Sequence, residues 1–125
     1  MRLLLDTNVL IWLMDGDPRL DNGARSLIVN ADAAFASSAS VWEIAIKARL
    51  GKLRIDTGRM LDKLAEAGIG ELPVSSLHAM ATGKLPLIHH DPFDRLLVAQ
   101  AISETMRLLT ADAQLSAYSE LVIQL

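Results

Sequence analysis

Leu3-Leu4-Leu5-Asp6-Thr7-Asn8-Val9-Leu10 is the stretch from which the rest of the chain is read. Three consecutive leucines, with no polar residue alternating between them, describe a strand buried on both faces. That pattern belongs to parallel sheets covered by helices on either side. The run stops at an acid, and a carboxylate ending a wholly apolar strand is desolvated unless a donor or a cation meets it. Weaker runs of strand character follow at Ala33-Ala34-Phe35-Ala36, around Ile69-Gly70-Glu71-Leu72, at Arg107-Leu108-Leu109-Thr110 and at Leu121-Val122-Ile123.

Between these runs the apolar spacing predicts helices over Val9–Met14, Ala24–Val29, Val41–Leu50, Arg59–Ala67, Leu77–Ala81 and Pro92–Met106, with Gly51, Gly68 and Pro86 where helices end. Strands alternating with helices predict an α/β fold, a small parallel β-sheet of four to five strands with helices on both faces. In such sheets ligands bind beyond the carboxyl ends of the strands, where strand order reverses.

Length and composition narrow the function. The 125 residues fit one domain spanning 1–125 and can bury a core without staples. With 51% hydrophobic against 22% charged residues, disorder is excluded and apolar surface is left over for a second copy or a partner. The absence of cysteine rules out disulfides, thiolate metal sites and cysteine nucleophiles. The residues before Asp6 are too few for a signal peptide, and no apolar run reaches the ~20 residues of a membrane helix, so a cytoplasmic protein without membrane contact is expected. A net charge of −3 excludes a uniformly basic nucleic-acid binder. Six of the twelve basic residues, Lys47, Arg49, Lys52, Arg54, Arg59 and Lys63, nevertheless fall in one window that includes only Asp56 and Asp62 as acids. That window reads as a phosphate-facing surface or as a solvated helical face.

Four acids lie where strands end and helices begin. Asp6 follows the first strand, Asp112 follows Thr110 by two residues, Glu43 falls near the start of the helix after the Phe35 strand, and Asp94 falls in the first turn after Asp91-Pro92. Each has a structural reading. Ser40-Val41-Trp42-Glu43 matches a capping box. Asp91-Pro92-Phe93-Asp94 sets an N-cap, a proline at N1 and an acid suited to the helix dipole. Asp112 can cap a helix from Ala113, and Asp6 can bond the turn at Thr7-Asn8. Gathered at one edge, however, four carboxylates repel one another, a cost that capping never requires and that a divalent cation relieves. All-oxygen ligation suits Mg²⁺ or Mn²⁺, and such ions activate water against a phosphodiester.

Leu4-Leu5-Asp6-Thr7-Asn8-Val9-Leu10, Ser38-Ala39-Ser40-Val41-Trp42-Glu43-Ile44-Ala45-Ile46-Lys47, Asp91-Pro92-Phe93-Asp94-Arg95-Leu96-Leu97-Val98-Ala99-Gln100-Ala101 and Leu109-Thr110-Ala111-Asp112 together resemble the PIN-domain family, in particular the VapC-type ribonuclease toxins of toxin–antitoxin pairs. The resemblance spans nearly the whole chain. It implies that Asp6, Glu43, Asp94 and Asp112 form an acidic quartet that holds Mg²⁺ or Mn²⁺ and cleaves single-stranded or structured RNA. It also implies a homodimer and a cognate antitoxin whose C-terminal segment occupies the site.

Other polar residues near these motifs stay open between a functional and a structural reading. Asn8 and Thr110 can orient a carboxylate or serve as turn residues. Lys47, Arg49 and Arg95 can meet RNA phosphate or a neighbouring acid. His89 and His90 read as a solvent-exposed loop pair, and Trp12, Met14 and Trp42 as core or interface. Two other classes fail. A phosphoacceptor receiver domain needs a lysine late in the sheet, but the last one is Lys84, and a haloacid-dehalogenase-type phosphatase needs an acid where Asn8 stands. A PIN-like module that only binds protein, its acids surviving as caps, is the remaining alternative.

Overall fold

A computed structural model describes all 125 residues. Its framework is a five-stranded sheet in the order β3-β2-β1-β4-β5. β1 is Arg2–Leu5, β2 Ala33–Ser37, β3 Ile69–Leu72, β4 Arg107–Thr110 and β5 Val122–Gln124. Every pairing is parallel, and β1 lies in the middle between β2 and β4. The helices are α1 (Thr7–Asp15), α2 (Asn22–Asn30), α3 (Ser38–Arg49), α4 (Thr57–Glu66), α5 (Ser76–Ala81) and α6 (Pro92–Glu104), with short 3₁₀ turns at Thr82–Lys84 and Ala113–Ala117. The expected α/β class, parallel sheet and two helical layers are all found.

The leucine run shows why both layers are needed. Leu3 and Leu5 join one core with Val9, Leu10, Ala34, Ala36, Ile44, Met60, Leu64 and Leu109. Leu4 points the other way, into a second core with Leu97, Val98, Ala101, Met106, Leu108 and Leu115. All three leucines are fully buried, so the two-residue period of the strand distributes them to α1–α4 on one face and α6 on the other.

Chain order sets the reversal. β1, β2 and β3 step outward in one direction, and the chain then returns through α5 and α6 to lay β4 on the opposite side of β1. The carboxyl ends of β1, β2 and β4 therefore meet at the point where strand order reverses.

Several boundaries differ from those expected. β2 extends through Ser37, and α3 begins at Ser38, three residues before Val41, because the Ser37 hydroxyl caps it by accepting from the Ala39 N–H at 3.0 Å. Glu43 therefore sits beyond the first turn, and the Ser40-to-Glu43 capping box does not form. α6 ends at Glu104, two residues short of Met106, on Thr105 in the left-handed region (φ 53°). Its end turns the Met106 side chain into the second core. β5 lies one residue later than Leu121-Val122-Ile123.

Leu4→Ala should cost about 2–5 kcal/mol, because it empties a fully buried site between sheet and α6. A urea melt checks this. The midpoint should fall while the slope stays constant, and an unchanged midpoint would contradict the two-sided burial of β1.

Candidate active site

Asp6 is buried at the end of β1, and both of its oxygens are met. Oδ1 accepts from the Thr7 N–H at 2.7 Å as the cap of α1, and Oδ2 accepts from the Thr110 hydroxyl at 2.6 Å. Burial raises the Asp6 pKa, the two hydrogen bonds oppose that rise, and the charges on Glu43 and Asp112 reinforce it. Thr110 also accepts from the Asp112 N–H at 3.0 Å, so one hydroxyl ties the ends of β1 and β4 together. The orienting role open to Thr110 is the one its geometry supports. Asn8 is exposed and makes no side-chain hydrogen bond.

Glu43 enters from α3 and is buried. Its Oε1 accepts from the Thr7 hydroxyl at 2.8 Å, and the same Thr7 oxygen lies 2.9 Å from the Ser40 hydroxyl. Its Oε2 pairs with Lys47 Nζ at 2.8 Å one turn along the helix. That pair, with the nearby charges of Asp91 and Asp94, raises the Lys47 pKa. Lys47 therefore serves the carboxylates directly, whereas Arg49 is exposed.

Asp94 comes from the first turn of α6, which opens as expected. Asp91 Oδ1 accepts from the Phe93 and Asp94 N–H groups at 2.8 and 3.3 Å, and Pro92 stands where no N–H is needed. Burial, then the charges of Asp6 and Asp91, push the Asp94 pKa up to about 6, against the opposing pull of a hydrogen bond to His89. Asp112 caps the last 3₁₀ turn, its Oδ1 accepting from the Gln114 N–H at 2.9 Å. Asp6 feels Glu43 and Asp112, and Asp94 feels Asp6 and Glu43, so the four acids expected from the sequence act on one another electrostatically.

Two residues, His89 and Arg95, depart from expectation. His90 is exposed, but His89 is not a solvated loop residue: its Nε2 lies 2.9 Å from Asp94 Oδ2 and 3.5 Å from Asp112 Oδ2. The Arg95 guanidinium donates to the carbonyls of Thr82, Pro86 and Leu85 and to the Tyr118 hydroxyl, which occupies the group that was open to phosphate. Trp42 is 63% exposed, touching Phe93 edge-on at 5.3 Å, whereas Trp12 packs on the first core beneath Arg19. Glu43, Lys47, Lys52, Asp91 and Phe93 line a cleft of about 340 Å³ between α3 and α6, opening beside Trp42's neighbour Phe93.

The sequence reading missed Thr7 as a bridge to Glu43; its only signal was a hydroxyl next to Asp6. It also missed a polar cluster away from the carboxylates. Buried His78 lies 2.8 Å from Glu104 through Nε2 and accepts from the Ser75 N–H through Nδ1, where it closes the capping box of α5. These bonds lock α5 to α6.

Comparison with known proteins places the chain. The family model described as PIN domain matches residues 3–121. The chain belongs to the PIN-domain family. A curated relative, Ribonuclease VapC22 of Mycobacterium tuberculosis (strain ATCC 25618 / H37Rv), is 32% identical over 120 residues, covering 93% of this chain and 91% of the relative. Among solved structures, VapBC2 from Rickettsia felis bound to a promoter DNA fragment is similar at a TM-score of 0.72 and 17% identity, covering all of this chain and 98% of that one. DNA-bound VapBC from Salmonella typhimurium is similar at 0.70 and 17%, covering 100% and 97%. At that identity the two structures establish the PIN fold.

The side chain of Asp94 is 17% exposed, so its shift bears on stability. A folded-state pKa raised above 3.8 means that ionisation is resisted by the fold. The contribution of Asp94 to metal-free stability is therefore fully present below about pH 4 and is lost as pH rises through about 6, a difference of roughly 2–3 kcal/mol. Asp94→Asn removes the charge responsible. Its metal-free thermal midpoint should exceed wild type at about pH 8 and approach it at about pH 4; a variant less stable at the higher pH would show that Asp94 is not repelled.

Proposed function

We propose that the chain is a metal-dependent endoribonuclease that hydrolyses phosphodiesters of single-stranded RNA and acts as the toxin of a type II toxin–antitoxin pair. The observation carrying this reading is that four acids share partners at the carboxyl edge of β1 and β4: Asp6 and Glu43 through Thr7, Asp6 and Asp112 through Thr110, and Asp94 and Asp112 through His89. Negative charge gathered and partly buried in this way is costly without a cation. Their oxygens suit Mg²⁺ or Mn²⁺. When bound, such an ion supplies charge neutralisation at the phosphate and a more acidic water.

The chain's own residues do the positioning. Thr110 and the Thr7 N–H aim the Asp6 carboxylate, and Thr7 with Lys47 aims Glu43. Lys47 balances part of the negative charge, Lys52, which lines the same cleft as Glu43, receives the strand's phosphates, and Arg49, exposed on a neighbouring face of α3, extends that basic surface. Single strands suit a site recessed at a sheet edge, because a duplex hides its bases and phosphodiester geometry.

The name of the Mycobacterium tuberculosis relative supports a ribonuclease, and the similar structures, both VapBC assemblies, support an antitoxin partner. The antitoxin's C-terminal segment is proposed to occupy the site, and two copies of the chain to pair, placing two sites in one groove. No helix of the chain is long and apolar enough to cross a membrane, in keeping with action on cytoplasmic RNA.

Purified chain, freed of partner, should cut single-stranded RNA with Mg²⁺ or Mn²⁺ and stop with chelator. Asp6→Asn and Asp94→Asn should each lower the rate by at least ~100-fold while leaving the circular dichroism of the fold intact. Undiminished cleavage in both variants would assign the activity to a contaminant, and no cleavage by wild type would favour the protein-binding module.

RNA affinity should fall with salt. In the Arg49→Glu, Lys52→Glu double variant the slope of log affinity against log salt should shrink by about 0.7 for each phosphate the variant no longer neutralises. A slope equal to that of wild type would return this window to a solvated helical face.

A further inference from the structure

The imidazole of His89 stands among the acids in an arrangement that capping does not explain. One ligand atom each from His89, Asp94 and Asp112 lie within 4.8 Å of one another, and the His89 Nε2 is 2.9 Å from Asp94 Oδ2 and 3.5 Å from Asp112 Oδ2. Two ligands at right angles, each about 2.1 Å from one ion, sit about 3 Å apart. The spacing of these donors is therefore that of neighbours around a single cation.

The loop bearing His89 is held firmly. Its backbone N–H donates to the Tyr118 hydroxyl at 2.8 Å, and Arg95 bonds that same hydroxyl at 3.1 Å. Arg95 also donates to the Thr82 and Pro86 carbonyls at 2.9 and 2.8 Å, fastening the stretch that leads into the histidine. These bonds fix the backbone from which the imidazole projects, the support that a ligand set requires. The three side chains converge from α6, the last 3₁₀ turn and the 82–89 loop, three separate parts of the chain.

We propose that His89 is a nitrogen ligand of the bound metal, joining Asp94 and Asp112, so that the centre is a mixed nitrogen–oxygen site. This rests on the metal-dependent reading above and deepens it. An imidazole in the donor set favours first-row transition ions over Mg²⁺, whose ligands are oxygens. The site would therefore prefer Mn²⁺, Co²⁺ or Zn²⁺ to Mg²⁺, and His89 would be the residue responsible.

Pulsed electron paramagnetic resonance on Mn²⁺ bound to the full chain tests this without reference to catalysis. Wild type should show a nitrogen coupling, lost in His89→Gln and kept in His90→Gln. In titrations, His89→Ala should weaken Mn²⁺ binding by at least about tenfold while changing Mg²⁺ binding far less. A nitrogen-free spectrum in wild type, a coupling that survives His89→Gln, or no Mn²⁺ binding would overturn the proposal. Nuclease assays on the same samples separate the two readings. A nitrogen coupling without RNA cleavage would remove the nuclease reading and leave the ligand, whereas cleavage without the coupling would do the reverse.

Discussion

A carboxylate buried at the end of the central strand is the constraint around which this molecule is arranged. Asp6 cannot stay ionised there unless donors meet it, and the donors are Thr110, across 104 residues of chain, and the first N–H of α1. The Thr110 bond requires β4 beside β1 in register, which in turn requires the apolar faces of both strands to be covered. Site and core therefore share one condition: Leu3, Leu4 and Leu5 must be buried on two sides for Asp6 to reach its partners.

Only part of the acids' charge is balanced within the chain. Lys47 pairs with Glu43, and His89 touches Asp94 and Asp112, but Asp6 is met only by neutral donors. Repulsion among buried acids lowers stability when the charge is unrelieved, a familiar exchange of stability for function.

What could be read from the sequence was whatever depended on local pattern. Asp6 and Asp112 stood at strand ends marked by apolar runs, and Asp94 followed a proline-led helix start that formed as expected. Glu43 was singled out although the start of its helix was set three residues late, because Ser37, Ser38 and Ser40 are all competent caps. The choice among them is made by β2, whose Ser37 pairs with Leu72 of β3, and by Thr7, which engages Ser40. His89 and Arg95 were misread for the opposite reason. Their partners come from the 82–89 loop, α6 and Tyr118, an arrangement no periodicity encodes. Trp42 was open to core or interface, and its exposed position on α3 beside Phe93 rules out the core.

Arg95 and Asp94 occupy successive positions of the same helical turn, and Arg95 grips the loop that carries His89. Histidine and aspartate are thus mounted on one mechanical unit. If α6 tilts or slides, both travel together and their separation is conserved, while their distance from the residues on β1 and α3 changes. Strain entering through α6 would then open or close the gap between two halves of the acidic cluster without disturbing either half.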